Sequence, residues 1–138
     1  DVVRLAPGAG EIIDEAPVGR IFRDGNLLVP SENGPVRERR ALAYNGVIAI
    51  ALAQSGRGNI APDAEVMLDG VPTEDAEGRS MTEIVHRAIE GTVASLPRDR
   101  QRDVELVRDA VRRAVRAAVG DAWGKRPIVK VLVARLPK

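Results

Sequence analysis

The fold class is decided near the end of the chain, where residues 128–134 read Ile128-Val-Lys-Val-Leu-Val-Ala134. The run is rich in β-branched residues and has the length of a strand, so it excludes a closed all-α fold. A second run, Val47-Ile-Ala-Ile-Ala-Leu-Ala53, alternates large and small apolar residues. We expect one face of that strand to pack in the core and the other to leave room for a close neighbour. A third strand, Glu65–Asp69, is stopped by Gly70, and its most natural pairing with 47–53 is antiparallel.

Two helices are predicted between the strand of residues 65–69 and the strand of residues 128–134. Ser80-Met-Thr-Glu83 matches a capping box, which opens a helix that Pro97 ends. Asp99 or Asp103 can cap the next helix, and both helices carry an apolar stripe at helical spacing. The predicted fold is therefore α/β, of the α+β type. Its order is β-β-α-α-β, with a three-stranded sheet and two helices on one face.

Residues 1–36 have a different texture and are predicted to be a short, extended, β-rich arm or linker. The predicted strands are short and separated by turn residues; they are Val2–Leu5, Glu11–Ile13, Val18–Phe22 and Leu27–Val29. Asp24-Gly25 suits a tight hairpin turn because glycine accepts a positive φ. Residues 37–138 form the predicted α/β domain, and Arg37–Asn45 is a short helix or turn ending at Gly46. A chain that begins at Asp1 is expected to be a piece of a longer one.

Composition excludes several classes of function. The 138 residues suffice for one domain of ordinary size, and no apolar run approaches the ~18 residues of a membrane span, so we expect no membrane partner and a cytoplasmic protein. The chain has no cysteine and a single histidine, His86, which excludes Cys-ligated zinc, thiol nucleophiles and His-rich metal centres. We interpret His86 as a surface or helix-pairing residue, and we expect no catalytic residue, metal ligand or cofactor in this chain.

The net charge of +1 conceals an acidic and a basic part. Residues 1–96 carry a balance of −6 and residues 97–138 a balance of +7, which favours contact between copies or with a polyanion. The second helix repeats arginine every four residues, and two more cations follow it, so the candidate RNA-binding residues are Arg108, Arg112, Arg113, Arg116, Lys125 and Arg126. The alternative is a solvated face neutralised by Glu105 and Asp109, or a face that meets the acidic part of a second copy. Gly56-Arg57-Gly58 lacks the spacing of a phosphate-binding loop and is typical of a turn.

A set of segments, taken in order, resembles the C-terminal end of bacterial ribonuclease J over nearly the whole chain. The segments are Asp1-Val-Val-Arg-Leu5, Glu11-Ile-Ile-Asp-Glu15, Pro17-Val-Gly-Arg-Ile21, Asp24-Gly-Asn26, Glu38-Arg-Arg40, Val47–Leu52 and Ala122-Trp-Gly-Lys-Arg-Pro-Ile-Val129. The resemblance implies that residues 1–36 end a catalytic core and that 37–138 form a separate C-terminal domain. It also implies a parent enzyme of the metallo-β-lactamase superfamily with a β-CASP insertion and two zinc ions.

The parent's implied activity is the degradation and processing of RNA, both 5′-to-3′ exonucleolytic and endonucleolytic. The family's His-x-His-x-Asp-His metal motif is not in this sequence, so no catalytic residue carries over. The resemblance implies instead a non-catalytic domain that supports assembly into a dimer or tetramer and full activity. Trp123 and Val29 are the candidate interface residues, and Trp123 also suits the core. The alternative is an RNA-binding module that contacts the phosphate backbone through the second helix.

Overall fold

A computed structural model describes residues 2–14 and 19–137, which belong to two compact units that divide between Arg39 and Arg40. The first unit contains two antiparallel hairpins. Strands β1 (Val2–Ala6) and β2 (Ala9–Asp14) form one, and β3 (Ile21–Asp24) and β4 (Leu27–Pro30) form the other. The second hairpin turns at Gly25, whose φ is +60°, as the Asp24-Gly25 pair predicts.

The predicted strands of this part are confirmed with shifted bounds. β2 is longer than the predicted Glu11–Ile13, and β3 begins at Ile21 rather than at Val18, which lies outside the described residues. Helix α1 (Pro35–Asn45) runs across the division between the units. It ends at Gly46, whose φ of +70° is the left-handed conformation expected there.

The second unit is built on a three-stranded sheet with the order β6-β5-β7. β5 (Val47–Gln54) is the central strand; it pairs antiparallel with β6 (Glu65–Asp69) and parallel with β7 (Ile128–Arg135). The antiparallel pair is the one that the sequence predicts. The parallel pair requires the chain to cross back over the sheet, and the intervening helices make that crossover. The predicted mixed fold and its three-stranded sheet are confirmed.

The crossover consists of two long helices and one short one. Helix α2 (Met81–Ser95) begins at Ser80, whose side chain accepts a hydrogen bond from the backbone N–H of Glu83. Helix α4 (Val104–Trp123) begins at Asp103, which caps the backbone N–H of Leu106, and ends at Gly124. The single-turn helix α3 (Arg98–Gln101), which the sequence analysis missed, fills the link between them.

The core lies between one face of the sheet and the helices α2 and α4. Five valines of α4 recur at helical spacing and are buried: Val104, Val107, Val111, Val115 and Val119. All of them except Val104 belong to one cluster with Val85 and Ile89 of α2 and the inward side chains of β5. None of the described helices is long and apolar enough to cross a membrane.

Candidate functional site

None of the described helices packs against one face of the three-stranded sheet. Residues of β5 alternate strictly, so Ile48, Ile50 and Leu52 are buried under the helices while the small residues between them point the other way. We call this second side the open face; it comprises Val47, Ala49, Ala51 and Ala53 of β5, Glu65, Met67 and Asp69 of β6, and Ile128, Lys130, Leu132 and Ala134 of β7.

The open face exposes large apolar side chains on both sides of a floor of alanines. Met67 on β6 is 56% exposed and Leu132 on β7 is 65% exposed. Between them Ala49 and Ala51 form the base of a shallow depression of about 170 Å³. The alternation in β5 predicted room for a close neighbour, and this is the side on which that room lies.

Charges on the open face are separated by strand. Glu65 and Asp69 stand on β6, at one edge of the sheet, and Lys130 stands on β7, at the other. Because Ala49 pairs with both Met67 and Lys130, the lysine lies level with a point midway between the two acids along the strand direction. The face therefore carries an acidic column and a basic position two strands apart.

Part of the predicted arginine row on α4 is engaged by its own helix. Arg108 Nη1 donates to Glu105 Oε1 at 2.5 Å, and Arg112 pairs with Asp109. Arg113 and Arg116 are exposed and form no salt bridge with any residue of the described ranges. Counted against the described part of the chain, the row thus has two arginines without an acidic partner rather than four.

The cations that follow α4 lie against other parts of the second unit. Lys125 Nζ donates to the backbone carbonyl of Tyr44 at 3.3 Å and lies 4.2 Å from the centre of the Tyr44 ring and 5.5 Å from that of Trp123. The stem of Arg126 lies over Gly120, at 3.2 Å from where a Cβ would stand. The structure therefore does not gather Lys125 and Arg126 into one row with the arginines.

The two candidate interface residues lie in different units. Trp123 is half-buried and packs against the core cluster, as its interpretation as a core residue predicts. Val29 is half-buried in β4, paired in register with Phe22. Met67 and Leu132 were missed because each is a lone large residue in an exposed strand position. Reading the alternation of all three strands together would have found them.

No metal centre is formed by the part of the chain that is described. Among residues 2–14 and 19–137, no three His, Asp or Glu side chains come close enough to hold a metal ion. His86 is half-buried on α2. These residues do not fit the zinc pair that the resemblance implies for the parent enzyme, so no chemical step is derived from it.

Comparison with known proteins places the second unit in a family. The family described as "Ribonuclease J C-terminal domain" matches residues 34–136. A curated ribonuclease J of Sinorhizobium meliloti is 38% identical over 136 residues, which is 99% of this chain. The chain spans only 24% of the length of that relative.

Proposed function

Because this chain belongs to the ribonuclease J C-terminal domain family, we propose that it is the non-catalytic C-terminal part of a ribonuclease J-like enzyme and that its open face joins two copies of that enzyme. In this proposal, residues outside this chain bind the zinc ions and hydrolyse RNA. The domain's contribution to full activity is then indirect, through assembly.

The observation that carries the proposal is the exposed apolar surface of the open face. Met67 and Leu132 are more than half exposed, and the alanine floor between them offers no polar group to water. In most folds a second layer of structure covers such a face, since burial of apolar area contributes about 25 cal/mol of stabilisation per Å². A second sheet packs about 10 Å away, and alanines on the facing strand allow that approach.

The charges favour one arrangement of the two copies. If the two-fold axis runs parallel to β5, β6 of one copy lies over β7 of the other. Lys130 then enters between Glu65 and Asp69 of the second copy, twice in each dimer. An axis perpendicular to the strands would instead place the acidic columns over each other, and like charges at close range oppose association. We therefore propose the parallel arrangement.

The size of the face limits the affinity of the isolated chain. Three strands about 4.8 Å apart present a face of roughly 300 Å², which is under half of the ~800 Å² per partner in a stable interface. We expect a weak dimer at high protein concentration. In the parent enzyme, other contacts between the same two copies would raise the effective concentration of the two faces.

Sedimentation velocity at protein concentrations up to about 1 mM tests this proposal. We expect Leu132→Lys to raise the dissociation constant roughly 50-fold, because the leucine is buried twice in a two-fold dimer at about 1 kcal/mol or more each time. The matched control is Leu28→Lys, since Leu28 is 75% exposed in the other unit and lies outside the open face. Lys130→Glu should weaken the dimer, and adding Glu65→Lys and Asp69→Lys should restore it.

Two results would overturn the proposal. One is a chain that stays monomeric at 1 mM, and the other is a dimer that Leu132→Lys leaves intact while Leu28→Lys dissolves it. The second result would assign self-association to the hairpins of residues 1–39 instead. Rescue by the charge exchange cannot come from a change in folding alone, which makes it the discriminating arm.

The alternative function, contact with RNA through α4, has less support. It depends on Arg113 and Arg116, since the other two arginines of the row are paired within their helix. Two exposed cations separated by less than one helical turn give little reason to expect a backbone path along the helix.

A further inference from the structure

A groove lined by arginines lies at one end of the three-stranded sheet. The parallel strands β5 and β7 both end there, at Gln54 and Arg135. The turn that follows β5 lines a space of about 850 Å³ together with one residue of the α3–α4 junction and one that follows β7. The lining residues are Ser55, Gly56, Arg57, Gly58, Arg102 and Pro137. An adjoining space of about 280 Å³ shares several of these residues and reaches Arg135. Loops at the carboxyl ends of parallel strands are where α/β sheets commonly bind ligands.

The three arginines of this groove are not neutralised. Arg57, Arg102 and Arg135 are all exposed, and none forms a salt bridge with a residue in the described part of the chain. Elsewhere Arg39, Arg79, Arg108 and Arg112 each have an acidic partner. Neither set of described lining residues contains Asp or Glu. Three like charges brought together without an anion repel one another, so the groove favours an anionic ligand.

Buried polar contacts hold the groove in shape. Gln54 is 5% exposed, and its Nε2 donates to the backbone carbonyls of Gln101 at 2.9 Å and Arg102 at 3.3 Å. The side chain of Gln101 in turn accepts from the backbone N–H of Ile60 at 2.9 Å. These bonds fix the α3–α4 junction against the end of the sheet, because each buried group has a partner that it would lose on moving.

A glycine in the turn sets the position of Arg102. A Cβ at Gly58 would lie 2.4 Å from Arg102 Cγ, so the arginine stem crosses the turn where only glycine leaves space. Gly58 also has a φ of +90°, and its N–H donates to the carbonyl of Ser55 at 2.8 Å. The two glycines around Arg57 are therefore turn residues, as the sequence predicts, and one of them admits a guanidinium to the groove.

We propose that this groove binds the phosphodiester backbone of single-stranded RNA, through Arg57, Arg102 and Arg135. Guanidinium groups match phosphate oxygens with paired hydrogen bonds, and the lining of the two adjoining spaces contains three arginines. None of the described lining residues is aromatic, so there is no platform on which a base could stack. Binding should then be independent of sequence. This site is separate from the open face. The groove itself selects only for phosphate, and the choice of RNA as the strand rests on the proposed function.

Fluorescence anisotropy with a labelled 16-nucleotide oligouridylate tests the proposal. The protein concentration is kept in the micromolar range, where the weak dimer does not form. We expect the triple variant R57Q/R102Q/R135Q to lose at least tenfold in affinity at low salt and to lower the salt slope by about 2, at ~0.7 for each phosphate contact on a single strand. The matched control is R112Q/R113Q/R116Q on α4, which removes the same charge. It should retain most of the affinity. Circular dichroism verifies that both variants are folded.

Two further binding experiments determine the class of ligand. Oligoadenylate should bind within about threefold of oligouridylate, since the groove contacts no base. Inorganic phosphate should compete only at concentrations far above those of the oligonucleotide. The proposal is overturned if the wild-type chain does not bind the oligonucleotide, or if both triple variants lose affinity equally. Saturation of the site by submillimolar phosphate would also overturn it, in favour of a small-anion site.

Discussion

Substitution of Gly46 by alanine should destabilise the second unit by about 2–4 kcal/mol. Gly46 lies where α1 ends and β5 begins, and its backbone carbonyl accepts a hydrogen bond from the N–H of Ile128 at the start of β7. An added Cβ would stand 2.4 Å from the backbone oxygen of Gly70 and 2.9 Å from that of Asp69. No side-chain rotation relieves these contacts, so the strands must shift. The left-handed φ of +70° adds about 1 kcal/mol for a residue with a Cβ.

The matched control is Gly78→Ala. Gly78 has a φ of +79°, but a Cβ built on it meets nothing within 4 Å. That variant therefore measures the conformational cost alone, which we expect to be about 1 kcal/mol. The difference between the two variants isolates the clash with the backbone of Gly70.

Urea unfolding followed by the fluorescence of Trp123 is the suitable assay. Trp123 is the only tryptophan of the chain and lies in the second unit, so its signal reports the unfolding of that unit. Equal losses of unfolding free energy for Gly46→Ala and Gly78→Ala would refute the reasoning. Such a result would mean that the contact between the strand ends relaxes without cost.

Three further predictions concern the polar contacts of the second unit. Gln101→Leu should lower the free energy of unfolding by about 2–3 kcal/mol, measured by urea unfolding, because the backbone N–H of Ile60 and the carbonyl of Leu96 lose their side-chain partner, while the carbonyl of Val93 keeps only the backbone N–H of Leu96. A loss below about 0.5 kcal/mol would contradict this prediction. Ser80→Ala should cost about 1 kcal/mol through loss of the N-cap of α2, and Ser80→Asp, which keeps a capping oxygen, should restore most of it. Burial raises the pKa of the Asp75 carboxyl, but hydrogen bonds from the backbone and guanidinium of Arg79 and from the backbone of Glu77 outweigh it, so this pKa lies below its ordinary value. The stabilisation that a lowered folded-state pKa provides is fully present above about pH 4 and is lost as the pH falls further. Asp75→Asn should therefore flatten the pH dependence of the free energy of unfolding below about pH 4. An unchanged slope in that range would contradict this assignment.

The elements that the sequence predicted well are those with local signals. Ser80 caps its helix as predicted, Asp103 is the one of the two candidate caps that the structure uses, and the strand of residues 65–69 has the predicted bounds. The parallel pairing of β5 with β7 has no such signal. It joins residues about 80 positions apart, and it is decided by how α2 and α4 cover one face of the sheet. The single turn of α3 carries too few residues to show a helical period.

The candidate sites were harder to predict for the same reason. The arginine row is recognised by its spacing, but the spacing does not show whether Arg108 and Arg112 form ion pairs with acidic residues of their own helix. The groove of Arg57, Arg102 and Arg135 draws on three separate elements, so no window of sequence contains it. Gln54 and Gln101 stabilise the shape of the groove, but nothing in the sequence marks them, because they are 47 positions apart and only the fold brings them into hydrogen-bonding contact.

Cross-linking of single-cysteine variants most directly tests the central claim that the open face joins two copies in the parallel arrangement. The chain has no cysteine, so Ala51→Cys and Met67→Cys each introduce one reactive thiol. In the proposed dimer, Ala51 of one copy faces Ala51 of the other across sheets about 10 Å apart, while the two Met67 positions lie about 14 Å apart on opposite edges. A short bis-maleimide should therefore cross-link Ala51→Cys efficiently and Met67→Cys poorly. Efficient cross-linking of Met67→Cys would contradict the parallel arrangement, and failure of both variants to cross-link would contradict the open face as the interface.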